Sequence, residues 1–276
     1  MTTPSALIKV MSDAVRKAAR GLTRDFGEVA ELQVSKKGPA DYVSAADIKS
    51  EQVMFEALAA ARPGYGFLGE ERGLIPGTDK THTWIVDPLD GTTNFLHAIP
   101  HFAITVALER EGQIVAGVTY NPITNEHFWT EKGRGAFLND KRIRVSKRTR
   151  LSEALIGTGF PFRQGDDLSH YLRMLEIVMK SCAGVRRPGA AALDLCYVAA
   201  GWYDAFFETG LSPWDVAAGS LIVTEAGGLV GNFTGVSQFL HQREVLAGSP
   251  KIYGQLVHLL APFSNVGRDV AGATTG

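Results

Sequence analysis

At 276 residues, with 45% hydrophobic and 21% charged residues and a formal net charge of -1, the chain has the composition of a folded globular protein. That balance gives no global attraction to nucleic acid or to an anionic membrane surface, so any anionic ligand must be held by local chemistry. Two cysteines, Cys182 and Cys196, exclude a disulfide framework, and no apolar run reaches the roughly 18–20 residues of a membrane span.

In chain order, Leu7, Val10, Met11, Ala14, Val15 and Ala18 recur at helical spacing behind Thr3, Pro4 and Ser5. This predicts an amphipathic helix ending near Gly21. Lys9, Asp13, Arg16 and Lys17 interrupt it too often for a secretory leader, and a cytoplasmic location with no membrane partner is expected. Residues 32–43 read as extended and polar. Ser44 caps a second helix with Val53, Met54, Ala57, Leu58 and Ala61 on its core face. Short strands over 66–69, 82–87, 102–109, 113–120 and 126–130 predict an antiparallel meander. Beyond residue 150 helices and strands alternate: helices 168–180, 190–200, 214–226 and 250–261, strands 184–187, 204–208 and 244–248. That texture predicts a layered α/β arrangement. The expected organisation is an N-terminal α+β lobe over 1–150, a C-terminal α/β lobe over 151–263 and a disordered tail over 264–276, forming one compact domain overall.

The chemistry concentrates in one segment. The apolar strand Trp84-Ile85-Val86 runs into Asp87-Pro88-Leu89-Asp90-Gly91-Thr92-Thr93. Pro88 fixes the turn between two carboxylates, Gly91 permits a tight bend, and the following residues can cap a helix. Oxygen ligands of this kind suit Mg²⁺ or Mn²⁺ and not zinc. Alone, the segment could also be a turn with solvated acids. Gly69-Glu70-Glu71 closes another apolar strand and Trp214-Asp215 opens a helix, and each places a carboxylate where active sites of layered α/β folds gather.

Glu70-Glu71, the segment from Asp87 to Asn94 and Trp214-Asp215-Val216-Ala217-Ala218-Gly219 together resemble the signature of the inositol monophosphatase family. The likeness extends to Asp41-Tyr42-Val43-Ser44-Ala45-Ala46-Asp47 and to Gly189-Ala190-Ala191-Ala192-Leu193-Asp194, and Arg187-Pro188-Gly189-Ala190 looks closest to the bacterial SuhB-like branch. The resemblance covers about residues 5 to 262. It implies an αβαβα five-layer sandwich, as in the inositol monophosphatase and fructose-1,6-bisphosphatase superfamily, and a homodimer. It also implies a first metal on Glu70, Asp87 and the Leu89 carbonyl, a second on Asp87, Asp90 and Asp215, and a third, weaker one near Glu70. Asp47 and the Thr92 hydroxyl would activate water, and the Gly91 and Thr92 amides would hold phosphate. Gly189, Ala191 and Glu208 would meet the alcohol portion of the substrate, Asp90 and Asp215 would also bind substrate, Glu70 would count with Asp47 and Thr92 as catalytic, and Lys36 is a further candidate beside the site.

Charge counting agrees with two or three Mg²⁺ per site, with Mn²⁺ as a substitute. Four carboxylates carry -4, and two divalent ions restore neutrality before a dianionic phosphate arrives. Rival phosphatase chemistries fit less well. Asp87 and Asp90 are spaced Asp-x-x-Asp where an aspartyl-phosphate enzyme needs Asp-x-Asp, and Pro188 stands where a cysteine phosphatase following Cys182 needs arginine. The expected function is Mg²⁺-dependent hydrolysis of a small phosphate monoester, myo-inositol 1-phosphate first. Histidinol phosphate, fructose 1,6-bisphosphate, NADP and adenosine 3',5'-bisphosphate are the alternatives. A different class, a transcription- or RNA-associated partner protein with incidental catalysis, is suggested by the basic cluster Lys141, Arg142, Arg144, Lys147, Arg148 and Arg150.

Overall fold

The protein is described by a computed structural model covering residues 3–28, 34–38, 41–161 and 166–266, with the side chains of 34–38 and 41–44 outside the description. Helix α1 (Ala6–Gly27) begins at Ser5, whose Oγ accepts the Ile8 N–H at 3.2 Å. It runs six residues past the expected stop at Gly21. A glycine inside a helix costs only about 1 kcal/mol, and Leu22 and Phe26 prolong the apolar face, with the Phe26 ring 5.2 Å from Phe102. Strands β1 (Val34–Gly38) and β2 (Asp41–Ser44) form a hairpin ahead of α2 (Ala45–Ala61).

An eight-stranded sheet follows from β3 (Gly66–Gly69), β4 (Gly73–Ile75), β5 (His82–Asp90), β6 (Ala103–Arg110), β7 (Gln113–Asn121), β8 (Glu126–Glu131), β9 (Ala136–Leu138) and β10 (Lys141–Ile143), in the order β10-β9-β8-β7-β6-β5-β3-β4. The predicted meander holds from β5 onward, but β3 lies parallel to β5 and pairs Gly69 with Val86. This places the chain ends that carry Glu70 and Asp87 on the same edge of the sheet. Between β5 and β6 sits the short helix α3 (Thr92–Leu96).

The second sheet has the order β12-β11-β13-β15-β14, built from β11 (Leu155–Thr158), β12 (Gly184–Arg186), β13 (Ala205–Thr209), β14 (Leu229–Gly231) and β15 (Glu244–Gly248). β11 and β14 were not expected from sequence, since three or four residues are too few to display a period. Helices α5 (Ala191–Ala199) and α6 (Pro213–Glu225) fill the space between the sheets. Residues 216 to 223 of α6 are all buried, as a helix with sheets on two sides must be. α1 and α2 cover the outer face of the first sheet, and α4 (Leu168–Ser181) and α7 (Pro250–Leu260) that of the second. The layers therefore read αβαβα, as the family resemblance implied.

The middle-layer core mixes Ala103 and Phe128 with residues from 190 to 247, so the two halves of the chain share one hydrophobic layer. At the C-terminus, Ser264 is buried and its hydroxyl donates to Glu244 Oε1 at 2.9 Å. The expected tail boundary at 263 thus falls inside packed chain, and residues 267–276 of that tail lie outside the described residues. No helix among the described residues is long and apolar enough to cross a membrane.

Candidate metal centre

Asp87 lies within the buried stretch of β5, and its Oδ1 accepts the N–H of Leu89 at 2.9 Å. This is the turn that Pro88 pre-sets, because a short acid satisfies the amide two residues on. The β5–β6 register slips between Asp87 and Asp90, which frees the segment from the ladder to bend. Gly91 then takes φ +89°, and a Cβ there would lie 3.0 Å from the His101 carbonyl. Glycine is required on both counts. Asp215 enters from α6: the sequence Ser212-Pro213-Trp214-Asp215 forms a capping arrangement in which the Ser212 N–H donates to Asp215 Oδ2 at 2.6 Å. Asp90 reaches the start of α5, where its Oδ2 accepts the Ala192 N–H at 2.8 Å.

These acids line one cavity of about 400 Å³. Glu70, Asp87, Asp90 and Asp215 share its wall with Leu89, Gly91 and Thr92; another stretch of wall is formed by Gly189, Ala191 and Glu208. Residues separated by up to 145 positions are thereby brought together (Glu70 to Asp215). Asp47 does not line the cavity. It is buried, 2% exposed, in the first turn of α2, the helix packed on β5. The Lys36 side chain lies outside the described residues.

Electrostatics follow from this crowding. Burial, and then the charges of Glu70, Asp90 and Asp215, hold the Asp87 carboxyl well above the usual carboxylate range. Burial, with Asp215 and Glu70 behind it, does the same to Asp90. Among the described residues no three acidic, histidine or cysteine side chains close on one point as a formed ligand shell does. The carboxylates repel one another, and backbone amides hold three of them in place. The donor set nevertheless fits a hard divalent cation: all are carboxylates or carbonyls, and no histidine or cysteine lines the cavity among the described residues. Elsewhere, His127 is buried and His101 half-buried, and desolvation holds both below the usual imidazole value, His127 to about 4. Both are neutral packing groups.

Several residues of this region receive no role at the site from the sequence. Phe160, Asp166 and Arg187 line the wall, with the Arg187 guanidinium 5.0 Å above the Phe160 ring. Asn94 donates to the carbonyls of His101 at 2.7 Å and Pro188 at 2.9 Å, which ties the Gly91 turn to the Gly189 wall. Asp194 is 1% exposed with Oδ1 unpartnered, and burial beside Glu208 and Asp90 holds its carboxyl well above the usual range. Gly159 has a sharper role, because a Cβ there would overlap the Glu208 carboxylate. Gly159→Ala should therefore displace Glu208 while sparing the acids, raising KM about tenfold with kcat within about twofold. A fall in kcat at unchanged KM, in steady-state assays, would show that Glu208 does not meet the substrate.

The model of the inositol monophosphatase family matches residues 3–263. An inositol-1-monophosphatase of Caulobacter vibrioides is 59% identical, covering 91% of this chain and 99% of that protein. The Nus factor SuhB of Pseudomonas aeruginosa is 45% identical, covering 93% and 96%. Among solved structures, the extragenic suppressor protein suhB of Bartonella henselae superposes with a TM-score of 0.90 at 53% identity, covering 93% of this chain and 98% of that one.

Proposed function

Because the chain belongs to the inositol monophosphatase family, we propose that it is a Mg²⁺-dependent phosphomonoesterase acting on a small polyol phosphate, myo-inositol 1-phosphate first. The observation that carries this reading is the meeting of Glu70, Asp87, Asp90 and Asp215 in one cavity with Gly189, Ala191 and Glu208. The relatives named inositol-1-monophosphatase support the substrate.

Glu70, Asp87 and the Leu89 carbonyl would hold one cation, and Asp87, Asp90 and Asp215 a second, with a third and weaker one near Glu70; Mn²⁺ would substitute. Bound Mg²⁺ supplies charge relief on the transferring phosphoryl group and acidifies water. The chain's own groups do the rest. Thr92 Oγ1 donates to the Leu89 carbonyl at 3.1 Å. With its proton committed there, the Thr92 oxygen is left to accept a hydrogen bond from the attacking water and so to orient it. Asp47 would be the base of this pair and take the proton that the water itself releases. The amides of Gly91 and Thr92 would orient the phosphate, and Gly189, Ala191 and Glu208 the leaving alcohol. Cytoplasmic location and a homodimer complete the proposal.

A second reading, a partner of the transcription machinery, is favoured by the Nus factor name at 45% identity. The basic cluster supports it less than its sequence suggested. Arg148 pairs with buried Asp204 at 3.3 Å, Arg150 pairs with Glu153, and the Arg142 guanidinium lies against Gly135. Arg148 is thus engaged with a buried partner, while Arg150 and Glu153 form an exposed i,i+3 pair.

The test is phosphate release by purified protein, with Mg²⁺ and with chelator, from inositol monophosphates, histidinol phosphate, fructose 1,6-bisphosphate, NADP and adenosine 3',5'-bisphosphate. Metal-dependent turnover with an inositol monophosphate preferred is expected. No release from any of them would overturn the enzyme reading.

A further inference from the structure

The first two turns of α2 bury an unusual set of side chains. Asp47, Ser50 and Glu51 are 2%, 3% and 1% exposed. They stand at i, i+3 and i+4, on one face of the helix. A face turned into a core normally carries aliphatic residues, as Met54 and Leu58 do one turn later. Burying a carboxylate is unfavourable unless its oxygens are well satisfied, so the contacts of these polar groups are informative.

The contacts of Ser50 and Glu51 land on turns that carry an acid of the cavity. The Ser50 hydroxyl donates to the Pro88 carbonyl at 2.9 Å, 38 residues away. Pro88 lies between Asp87 and Leu89, in the stretch where the β5–β6 register is broken. The hydroxyl replaces a ladder partner for that carbonyl. Glu51 Oε1 accepts the Glu71 N–H at 2.9 Å, and its Oε2 lies 3.5 Å from Arg72 Nε. On the other side of Glu70, a Cβ at Gly69 would overlap Glu51 Oε1. Glycine at 69 therefore lets the Glu51 carboxylate sit directly beneath the turn, so that both neighbours of Glu70 in sequence rest on Glu51.

We propose that Ser50 and Glu51 are positioning residues of the metal centre, through which α2 sets the separation of the Glu70 turn from the Asp87–Asp90 turn and places both relative to Asp47. The inference rests on the metal-centre reading above and adds the means by which its parts are registered. Neither side chain lines the cavity; both act through backbone groups of the turns. β3 and β5 are adjacent parallel strands, but their last pairing is Gly69 with Val86, so the ladder between them stops short of Glu70 and Asp87, and Asp87 and Asp90 are paired only on the β6 side. A rigid helix that bonds to both turns supplies the missing constraint.

The test uses metal-stripped full-length Ser50→Ala, Glu51→Ala and Glu51→Gln. Mn²⁺ binding is read by electron paramagnetic resonance, alongside thermal melting and the Mg²⁺ concentration for half-maximal phosphate release. Weakening of Mn²⁺ affinity by roughly 10–100-fold is expected in Glu51→Ala, and by about tenfold in Ser50→Ala. Glu51→Gln keeps an acceptor for the Glu71 N–H and should recover most of the affinity. Ser50→Ala removes only a hydroxyl, so it decides the matter even where Glu51→Ala does not fold. Lowered melting temperatures with wild-type Mn²⁺ affinity would make both residues merely structural and overturn the inference while leaving the phosphatase reading intact. A wild-type protein that neither binds Mn²⁺ nor releases phosphate would overturn both.

Discussion

Asp90→Asn should reduce phosphate release by about 10³-fold or more, the effect of losing several kcal/mol of metal-borne charge stabilisation, with the fold retained. The substitution is isosteric. An asparagine Oδ1 can still accept the Ala192 N–H that Asp90 Oδ2 accepts at 2.8 Å, so the join to α5 survives. What disappears is one negative charge from a group that burial, Asp215 and Glu70 already push toward its neutral form. The metal-stripped variant should therefore melt at the wild-type temperature or slightly above, since a like-charge repulsion has been relieved. Lost turnover with unchanged melting separates a ligand from a packing residue. Turnover near the wild-type level would remove Asp90 from the metal centre. The same variant distinguishes the two functional readings in cells: full rescue of a deletion strain would mark catalysis as incidental.

The second large effect is on stability, and it depends on pH in a direction set by the raised carboxyls. Asp87 and Asp90 bind their protons more tightly in the folded chain than in the unfolded one. Their contribution to stability is thus complete below the ordinary carboxylate value of about 4 and is lost as pH rises through the raised folded range. A divalent cation binds the deprotonated form, so it restores what the proton no longer supplies. Melting followed by calorimetry in chelator and in about 10 mM Mg²⁺ should show almost no shift near pH 5 and a rise of about 5–10 °C near pH 8. That figure corresponds to about 2.7 kcal/mol when the cation stands at about 100 times its Kd. A shift of equal size at both pH values would mean that the cation binds elsewhere than at the raised acids. Asp90→Asn should flatten the pH dependence, because one of the two protons in question is gone.

How far the sequence carries depends on whether the deciding interaction is local. The Asp87–Thr93 turn is legible because its causes lie within the segment: Pro88 sets one torsion, Gly91 takes φ +89°, and the Leu89 N–H closes on Asp87 two residues away. The start of α6 is legible for the same reason, as Ser212, Pro213 and Asp215 form their cap among themselves. The long helices α1, α2 and α4 to α7 show either periodicity or uniform burial. Failures begin where elements are short or their partners distant. β11 and β14 are too brief to show a pattern, and α1 passes Gly21 because Phe26 finds Phe102 across the sheet.

The same division runs through the candidate site. Residue type and local conformation, the properties of a few neighbouring residues, identify Glu70, Asp87, Asp90 and Asp215 as oxygen donors at strand ends and helix starts. Burial and field are sums over atoms far apart in the chain, and only the tertiary structure decides them. Ser50 and Glu51 read as a solvated helix face until β3 and β5 close over them, and Gly159 is an ordinary glycine until Glu208 fills the space above it. The raised Asp87 carboxyl exists because packing buries it and gathers Glu70, Asp90 and Asp215 around it. The donors of the proposed metal centre can thus be picked out in the chain itself, while their spacing and charge state belong to the packed layers that hold them.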